Sequence, residues 1–216
     1  MSARCILVGA GDLTVGKIER NPEDYVIAVD GGLGYCGILE LEPDLVIGDF
    51  DSVSREEAEA VRRLEQEIPE RILRLPREKD DTDMLAALRE GLKRGYRDFR
   101  IYGGTGGRFD HTLANIQCLV YLKEQGACGY LVDGGGMVLV IKNEAVHFRK
   151  SMEGYLSLFS LTEKSRGVRV EGLKYTLENA VLTNSYPIGI SNEFTGREAS
   201  IEVEDGCLVC MLQYPE

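Results

Sequence analysis

Short apolar or β-branched runs alternate with stretches of helical spacing up to about residue 142, and beyond that point the helical spacing stops. Alternation of this kind builds βαβ units around a mostly parallel sheet. The expected strands are Cys5–Val8, Tyr25–Val29, Asp44–Ile47, Ile72–Leu75, Phe99–Tyr102 and Tyr130–Val132. Between them, Arg55–Glu67, Thr82–Arg94 and His111–Gln125 repeat apolar residues at helical spacing with charges opposite. Leu85, Leu88 and Leu92 form one such stripe, which core packing fully explains. After Asp133-Gly-Gly-Gly136 come only short strand-like runs separated by turn residues, at 138–141, 145–148, 156–161, 168–170, 180–182, 199–203 and 208–212. These describe a small antiparallel sandwich or barrel-like second domain. The boundary lies between residues 134 and 152 and is set at 142/143, giving domains 1–142 and 143–216.

With 216 residues, 44% of them hydrophobic, the chain has enough apolar material for one large core or two modest ones. Its 36 acidic and 25 basic side chains leave a net charge of −11, so the surface repels nucleic-acid phosphates and anionic membranes, and neither partner is expected. Any polyphosphate ligand must be met locally, by a metal ion, backbone amides or a few placed cations. No run approaches the roughly 20 apolar residues that span a bilayer, and the expectation is a cytoplasmic protein. Cys5, Cys118 and Cys128 sit in or beside apolar runs as reduced core thiols do. Cys207 and Cys210 form a C-x-x-C, but no second pair completes a zinc site, and a core role is expected there too.

The carboxylates carry more information. Asp44-Leu-Val-Ile-Gly-Asp-Phe-Asp-Ser52 is a buried-strand pattern that runs straight into two aspartates. Open α/β sheets bind ligands at the carboxyl ends of their strands. In extended backbone, residues i and i+2 point the same way, so Asp49 and Asp51 can converge on one cation. The competing role is capping of the following helix, for which Ser52 and Ser54 are also candidates. Lys79-Asp-Asp-Thr-Asp83 follows the strand ILRL and precedes a helix, where Asp80 suits the N-cap and Asp83 the N3 position. Capping explains one or two acids, not five at successive strand ends once Asp30 is counted. Two unit charges about 4 Å apart at an effective dielectric near 20 repel by about 4 kcal/mol. A divalent ion or a proton relieves such crowding, and all-oxygen donors select Mg²⁺ over zinc.

Arg100-Ile-Tyr-Gly-Gly-Thr-Gly-Gly-Arg-Phe-Asp-His-Thr112 empties a strand into a loop with four glycines before a helix. Glycine lets backbone N–H groups approach an anion closely, and the helix N-terminus aims partial positive charge at it. The segment is neither a Walker A sequence nor G-x-G-x-x-G. Arg108 is the natural fork for phosphate oxygens, with a salt bridge to Asp110 as its alternative role. Asp110 is either a helix cap or a ligand, and His111 a candidate nucleotide contact. His147, in the strand pattern AVHF, is structural. Val29-Asp-Gly-Gly32 and Gly9-Ala-Gly-Asp12 add two glycine turns after strands, the first placing Asp30 near a ribose or a metal-bound group.

The set D-G-G, G-D-F-D-S, K-D-D-T-D and G-G-T-G-G-R-F-D-H, in that order and spacing, resembles the thiamine pyrophosphokinase family. Gly172-Leu-Lys-Tyr175 and Gly189-Ile-Ser-Asn-Glu193 resemble that family's thiamine-binding C-terminal domain, so the likeness covers nearly the whole chain. The resemblance implies an α/β fold, with an N-terminal Rossmann-like three-layer αβα domain of mostly parallel sheet and a C-terminal antiparallel β-sandwich. It also implies transfer of pyrophosphate from ATP, as co-substrate, to the hydroxyl of thiamine, giving thiamine diphosphate and AMP in a homodimer. By matching positions, Asp49, Asp51 and Asp83 hold Mg²⁺. Asp30, Gly31, Gly32, Gly104, Thr105, Gly107, Arg108, Asp110 and His111 serve ATP, and Asp80 joins Asp49, Asp51, Asp83 and Arg108 in catalysis. Lys79, Asp83, Ser191 and Asn192 face thiamine. Some family members stack tryptophan on thiamine, but this chain has none, and Phe194, Tyr175 and Tyr186 are the possible replacements. Two other readings stay open: a pyrophosphokinase for another heterocyclic alcohol such as a pterin, and a non-catalytic nucleotide or thiamine sensor.

Overall fold

The computed structural model describes residues 3–51 and 53–215, which fall into two compact units. The first runs up to Cys118 and includes Gln125–Gly134; the second takes Leu119–Glu124 and the chain from Gly135 onward.

In the first unit, the continuous apolar runs at residues 5–8, 25–29 and 45–48 make inner strands buried on both faces, as in a parallel sheet covered on both sides. The strands are β1 (Cys5–Val8), β2 (Tyr25–Val29), β3 (Leu45–Gly48), β4 (Ile72–Arg74), β5 (Asp98–Tyr102) and β6 (Cys128–Asp133). They lie in the order β6-β5-β1-β2-β3-β4, and every neighbouring pair is parallel. The helices are α1 (Gly32–Ile38), α2 (Arg55–Glu67), α3 (Asp83–Lys93) and α4 (Phe109–Glu124), with a single 3-10 turn at Pro69–Arg71.

Successive residues of β1 face opposite ways. Ile6 and Val8 share a cluster with Cys36 of α1, while Gly91 of α3 rides directly against Cys5 and Phe99. Helices therefore cover both faces, the three layers expected. The buried stripe of α3 centres on Met84, Ala87, Leu88 and Gly91, so Leu88 belongs to it fully and Leu85 and Leu92 only partly.

The chain leaves β1 in one direction through β2, β3 and β4, then crosses to β5 and β6 on the other side. That reversal makes a switch point at β1, and ligands of open α/β sheets bind outside the carboxyl ends of the strands there. The loops after β1 and β5 are zipped together, Gly9 N–H donating to Tyr102 O, Gly11 to Gly103 O and Asp12 to Thr105 O, each at 2.8 Å.

The second unit is antiparallel. Strands β12 (Gly189–Glu193), β9 (Tyr155–Ser160), β14 (Cys207–Gln213) and β7 (Gly136–Lys142) lie side by side in that order. Strands β11 (Leu177–Thr183), β10 (Lys164–Glu171), β13 (Ala199–Glu202) and β8 (Ala145–Phe148) form a separate sheet. Strand β9 alternates inward Leu156, Leu158 and Ser160 with more exposed neighbours, the signature of one buried face. Phe148 of β8 meets Phe194 edge-on at 5.5 Å.

All six cysteines are free, and Cys207 and Cys210 are buried in β14, as a core role requires. Strand β12 was not foreseen, because its GISNE sequence carries one large apolar residue and no alternation.

Candidate active site

Three of the five acids meet at the ends of β2, β3 and the start of α3. Lys79 Nζ lies 3.2 Å from Asp49 Oδ2 and 3.1 Å from Asp83 Oδ1, and donates to Pro76 O at 3.1 Å. The contacts with Asp49 and Pro76 are hydrogen bonds, the contact with Asp83 is an ion pair without hydrogen-bond geometry, and the Lys79 side chain is only 14% exposed. Asp30 completes the group from the end of β2. Its buried Oδ1 has no hydrogen-bond partner. Burial first, then the charges of Asp83, Asp49 and Asp51, push the Asp30 carboxyl above its ordinary value. The Asp49 carboxyl moves the other way: burial raises it, but the Asp51 N–H and the Lys79 ammonium outweigh that and hold it low.

Local geometry corrects two expectations. The stretch from Asp49 to Asp51 is not extended backbone, although the Asp51 carboxyl still lies beside that of Asp49. Phe50 between them sits at φ 58°, in the left-handed region, so the chain turns and Asp51 N–H donates to Asp49 Oδ1 at 3.1 Å. Asp51 Oδ2 also lies 3.8 Å from Arg77 Nε. The N-cap of α3 is Thr82, whose hydroxyl accepts from Leu85 N–H, so Asp80 is not the cap and Asp83 stands at the first helical position rather than the third. Freed from capping, Asp83 meets Lys79. Asp80 is exposed and outside this group, while Asp81 pairs with Arg89.

Neither Asp49 nor Asp51 caps α2. Ser54 does, within a capping box in which its Oγ accepts from Glu57 N–H and its own N–H donates to Glu57 Oε2. Ser52 lies outside the described residues.

The glycine loop has a fixed root and an exposed tip. Gly103 and Gly104 are buried, Asn115 of α4 clamping Gly104 O at 2.7 Å, whereas Gly106, Gly107 and Arg108 are exposed. Gly103, Gly106 and Gly107 take positive φ, conformations that side chains resist. Arg108 forks onto Asp110, Nε to Oδ1 at 3.1 Å and Nη2 to Oδ2 at 2.6 Å. This is the salt bridge named as its alternative role. The Arg108 hydrogen bonds and charge hold the Asp110 carboxyl low. Asp110 lies in the first turn of α4 but does not cap it, and its Oδ1 accepts from His111 N–H. His111 is exposed, and Gly31 and Gly32 open α1 beside Asp30.

In the second unit, Ser191 is exposed at φ 55°, and Asn192 beside it is buried. Of the aromatic candidates, Phe194 packs on Phe148, while Tyr175 and Tyr186 are exposed. Sequence reasoning missed Asn115, Arg77 and Ser157, whose Oγ accepts from Ser191 N–H at 3.1 Å. Their residue types are too common to signal a role without their partners.

Among the described residues, no three carboxylate, imidazole or thiolate groups stand together as a ready-made coordination sphere. The donor chemistry nevertheless fits a hard divalent cation. The orphaned Asp30 oxygen, with Asp49 and Asp83 gathered on one ammonium, supplies only carboxylate oxygens and an excess of negative charge.

Carboxylates and an anion-seating loop at one end of a parallel sheet are the equipment of a phosphoryl-group transferase, and to that class this fold and site belong. A model described as thiamin pyrophosphokinase, catalytic domain, matches residues 19–130, and one described as thiamin pyrophosphokinase, vitamin B1 binding domain, matches residues 143–208. The thiamine pyrophosphokinase of Bacillus subtilis (strain 168) is 30% identical over 187 residues, covering 85% of this chain and 84% of that protein. The crystal structure of thiamine pyrophosphokinase from Bacillus subtilis matches with a TM-score of 0.86 at 26% identity over 100% of both chains. A thiamin pyrophosphokinase family protein from Enterococcus faecalis matches with a TM-score of 0.82 at 30% identity, over 99% of this chain and 100% of that one. This chain belongs to the thiamine pyrophosphokinase family.

Proposed function

We propose that the chain performs the family reaction with Mg²⁺: ATP gives its terminal pyrophosphoryl unit to the hydroxyethyl group of thiamine, leaving AMP. The observation that carries this reading is the gathering of Asp49 and Asp83 on Lys79, with the buried, unpartnered oxygen of Asp30 at the end of the neighbouring strand. Asp49, Asp51 and Asp83 are assigned to the metal. When bound, Mg²⁺ screens the phosphate charge that would repel an incoming oxygen.

The remaining work is alignment by the chain's own groups. The amides of Gly104, Thr105 and Gly107, with Gly31, Gly32, Asp30 and His111, are assigned to ATP. Arg108 stabilises charge developing on the phosphates by exchanging its exposed partner Asp110 for phosphate oxygens. Lys79 faces the substrates from between the acids. A carboxylate committed to Lys79 and to a metal is a poor base, so Asp80, exposed and outside that group, is assigned the alcohol proton. Ser191 is assigned to thiamine.

The acidic surface suits a cationic acceptor, and a cytoplasmic homodimer is part of the proposal. Exposed Tyr186, Ile188 and Ile190 in the second unit support the dimer. Incubation with thiamine, ATP and MgCl₂, with mass detection of thiamine diphosphate and AMP, tests donor, acceptor and product together. Turnover of a pterin alcohol in preference to thiamine, or ATP binding with no AMP release, would reject it.

A further inference from the structure

Strand β12 loses its register with β9 between Gly189 and Asn192, and the slip is concentrated at Ser191. A non-glycine residue at φ 55° costs on the order of 1 kcal/mol and persists only where its surroundings hold it there. Two contacts do so. On one side, Ser157 Oγ of β9 accepts from Ser191 N–H at 3.1 Å.

On the other side stands Asn192, one of the few buried polar side chains among the described residues. Its Oδ1 accepts from Tyr175 N–H and from Glu193 N–H, each at 2.9 Å, and its Nδ2 donates to Tyr175 O at 2.7 Å. The side-chain amide thus pairs with both backbone groups of Tyr175 as a strand residue would. Around it, the same segment is fastened by Lys174 N–H to Glu193 O at 3.0 Å, the Lys174–Glu193 ion pair at 2.6 Å, and Thr195 Oγ1 to Gly172 O at 2.9 Å.

Both acceptor positions of Asn192 Oδ1 and one Nδ2–H are thus used inside the chain, and the side chain is buried. We propose that Asn192 is a positioning residue for thiamine recognition, holding Ser191 in its left-handed conformation and Tyr175 at a fixed place without touching the substrate. The proposal rests on the assignment of Ser191 to thiamine. Without the clasp, β12 relaxes toward extended backbone, and a one-residue change of register turns a side chain to the other face.

A double-mutant cycle tests this. Asn192→Ala is expected to raise the KM for thiamine about tenfold and to leave the KM for ATP within about twofold. Because Asn192 acts through Ser191, the Ser191→Ala/Asn192→Ala double variant is expected to be no worse than Ser191→Ala alone. Thr195→Val loosens the same segment and should lower the melting temperature with thiamine KM unchanged. If Asn192→Ala does not fold, Asn192→Asp keeps the acceptor and loses the bond to Tyr175 O, and the cycle runs with it. Additive effects, or an unchanged thiamine KM in the Asn192 variants while Ser191→Ala is impaired, overturn the positioning role alone. An unimpaired Ser191→Ala rejects the assignment beneath it as well.

Discussion

The acidic loops of the first unit and the clasp of the second both fix chain segments through side chains, yet they do so by different forces. Around Lys79, one ammonium holds carboxylates from two separate stretches that would otherwise repel each other. Around Asn192, a buried neutral amide holds a backbone segment by three short hydrogen bonds. Charged contacts answer to ionic strength, to pH and to any incoming ion, while neutral buried ones answer to none of these. The difference teaches a division of labour: the first unit keeps a set of charges that a cationic or anionic ligand can rearrange, and the second keeps a shape.

The strongest way to break that contrast is to neutralise one acid. Asp49→Asn preserves the acceptor for Asp51 N–H but removes the charge that Lys79 and the proposed metal share. AMP formation is expected to fall about 10³-fold or more, with circular dichroism unchanged. Near-normal turnover would remove Asp49 from the metal role and leave the charges around Lys79 a purely structural device.

Next in size is a charged contact of the same unit that is truly buried. The Asp24 side chain is inaccessible and accepts from Arg4 Nη2 at 2.5 Å, from Arg4 N–H at 2.9 Å and from Asn21 N–H at 2.8 Å. Burial raises this carboxyl, but the Arg4 and Asn21 hydrogen bonds outweigh it and hold it below its ordinary value of 3.8. A depressed carboxyl stabilises the fold at pH above the unfolded value, and that stability drains away as the pH falls through it toward the folded value. Asp24→Asn is expected to cost about 3 kcal/mol at pH 7, the scale of a broken buried pair. In denaturant titrations the gap from the parent should shrink below about pH 4. A gap that is constant from pH 7 to 3 would show that packing, not charge, holds this corner.

Much of this was legible in the sequence, and the part that was not has a physical reason. The parallel strands could be read because runs such as Cys5–Val8 are apolar on both faces, and Arg55–Glu67 because its charges fall on one side. The acids could be read as a set because each follows a strand, and strand ends of one parallel sheet share an edge. What could not be read is how each turn aims its side chain. Phe50 at φ 58° joins Asp49 to Asp51 by a turn rather than by extended backbone, and Thr82 takes the cap that Asp80 could equally have filled. Strand β12 escaped for a related reason: its pairing depends on a bulge at Ser191 and on an asparagine standing in for backbone, and neither leaves a periodic trace.

The smallest expected effect is the sharpest control on the comparison, since it probes a neutral buried contact with no charge anywhere in it. Ser165 of β10 is fully buried, its Oγ 2.8 Å from Ser160 Oγ and 3.1 Å from Thr162 Oγ1, and donating to Cys207 O at 3.2 Å. In Ser165→Ala, Ser160 keeps its bond to Thr162 O, so one carbonyl and two hydroxyl contacts are lost rather than the whole network. The expected cost is about 1 kcal/mol, and the melting temperature of a chain this size should drop about 2–4 °C. Because nothing in the network titrates or carries charge, that drop should be the same at pH 5 and pH 8 and at 0.05 and 1 M NaCl. A drop that grows or fades with salt would mean that the second unit is held by the charges on its surface after all, and the contrast with the Lys79 site would be lost.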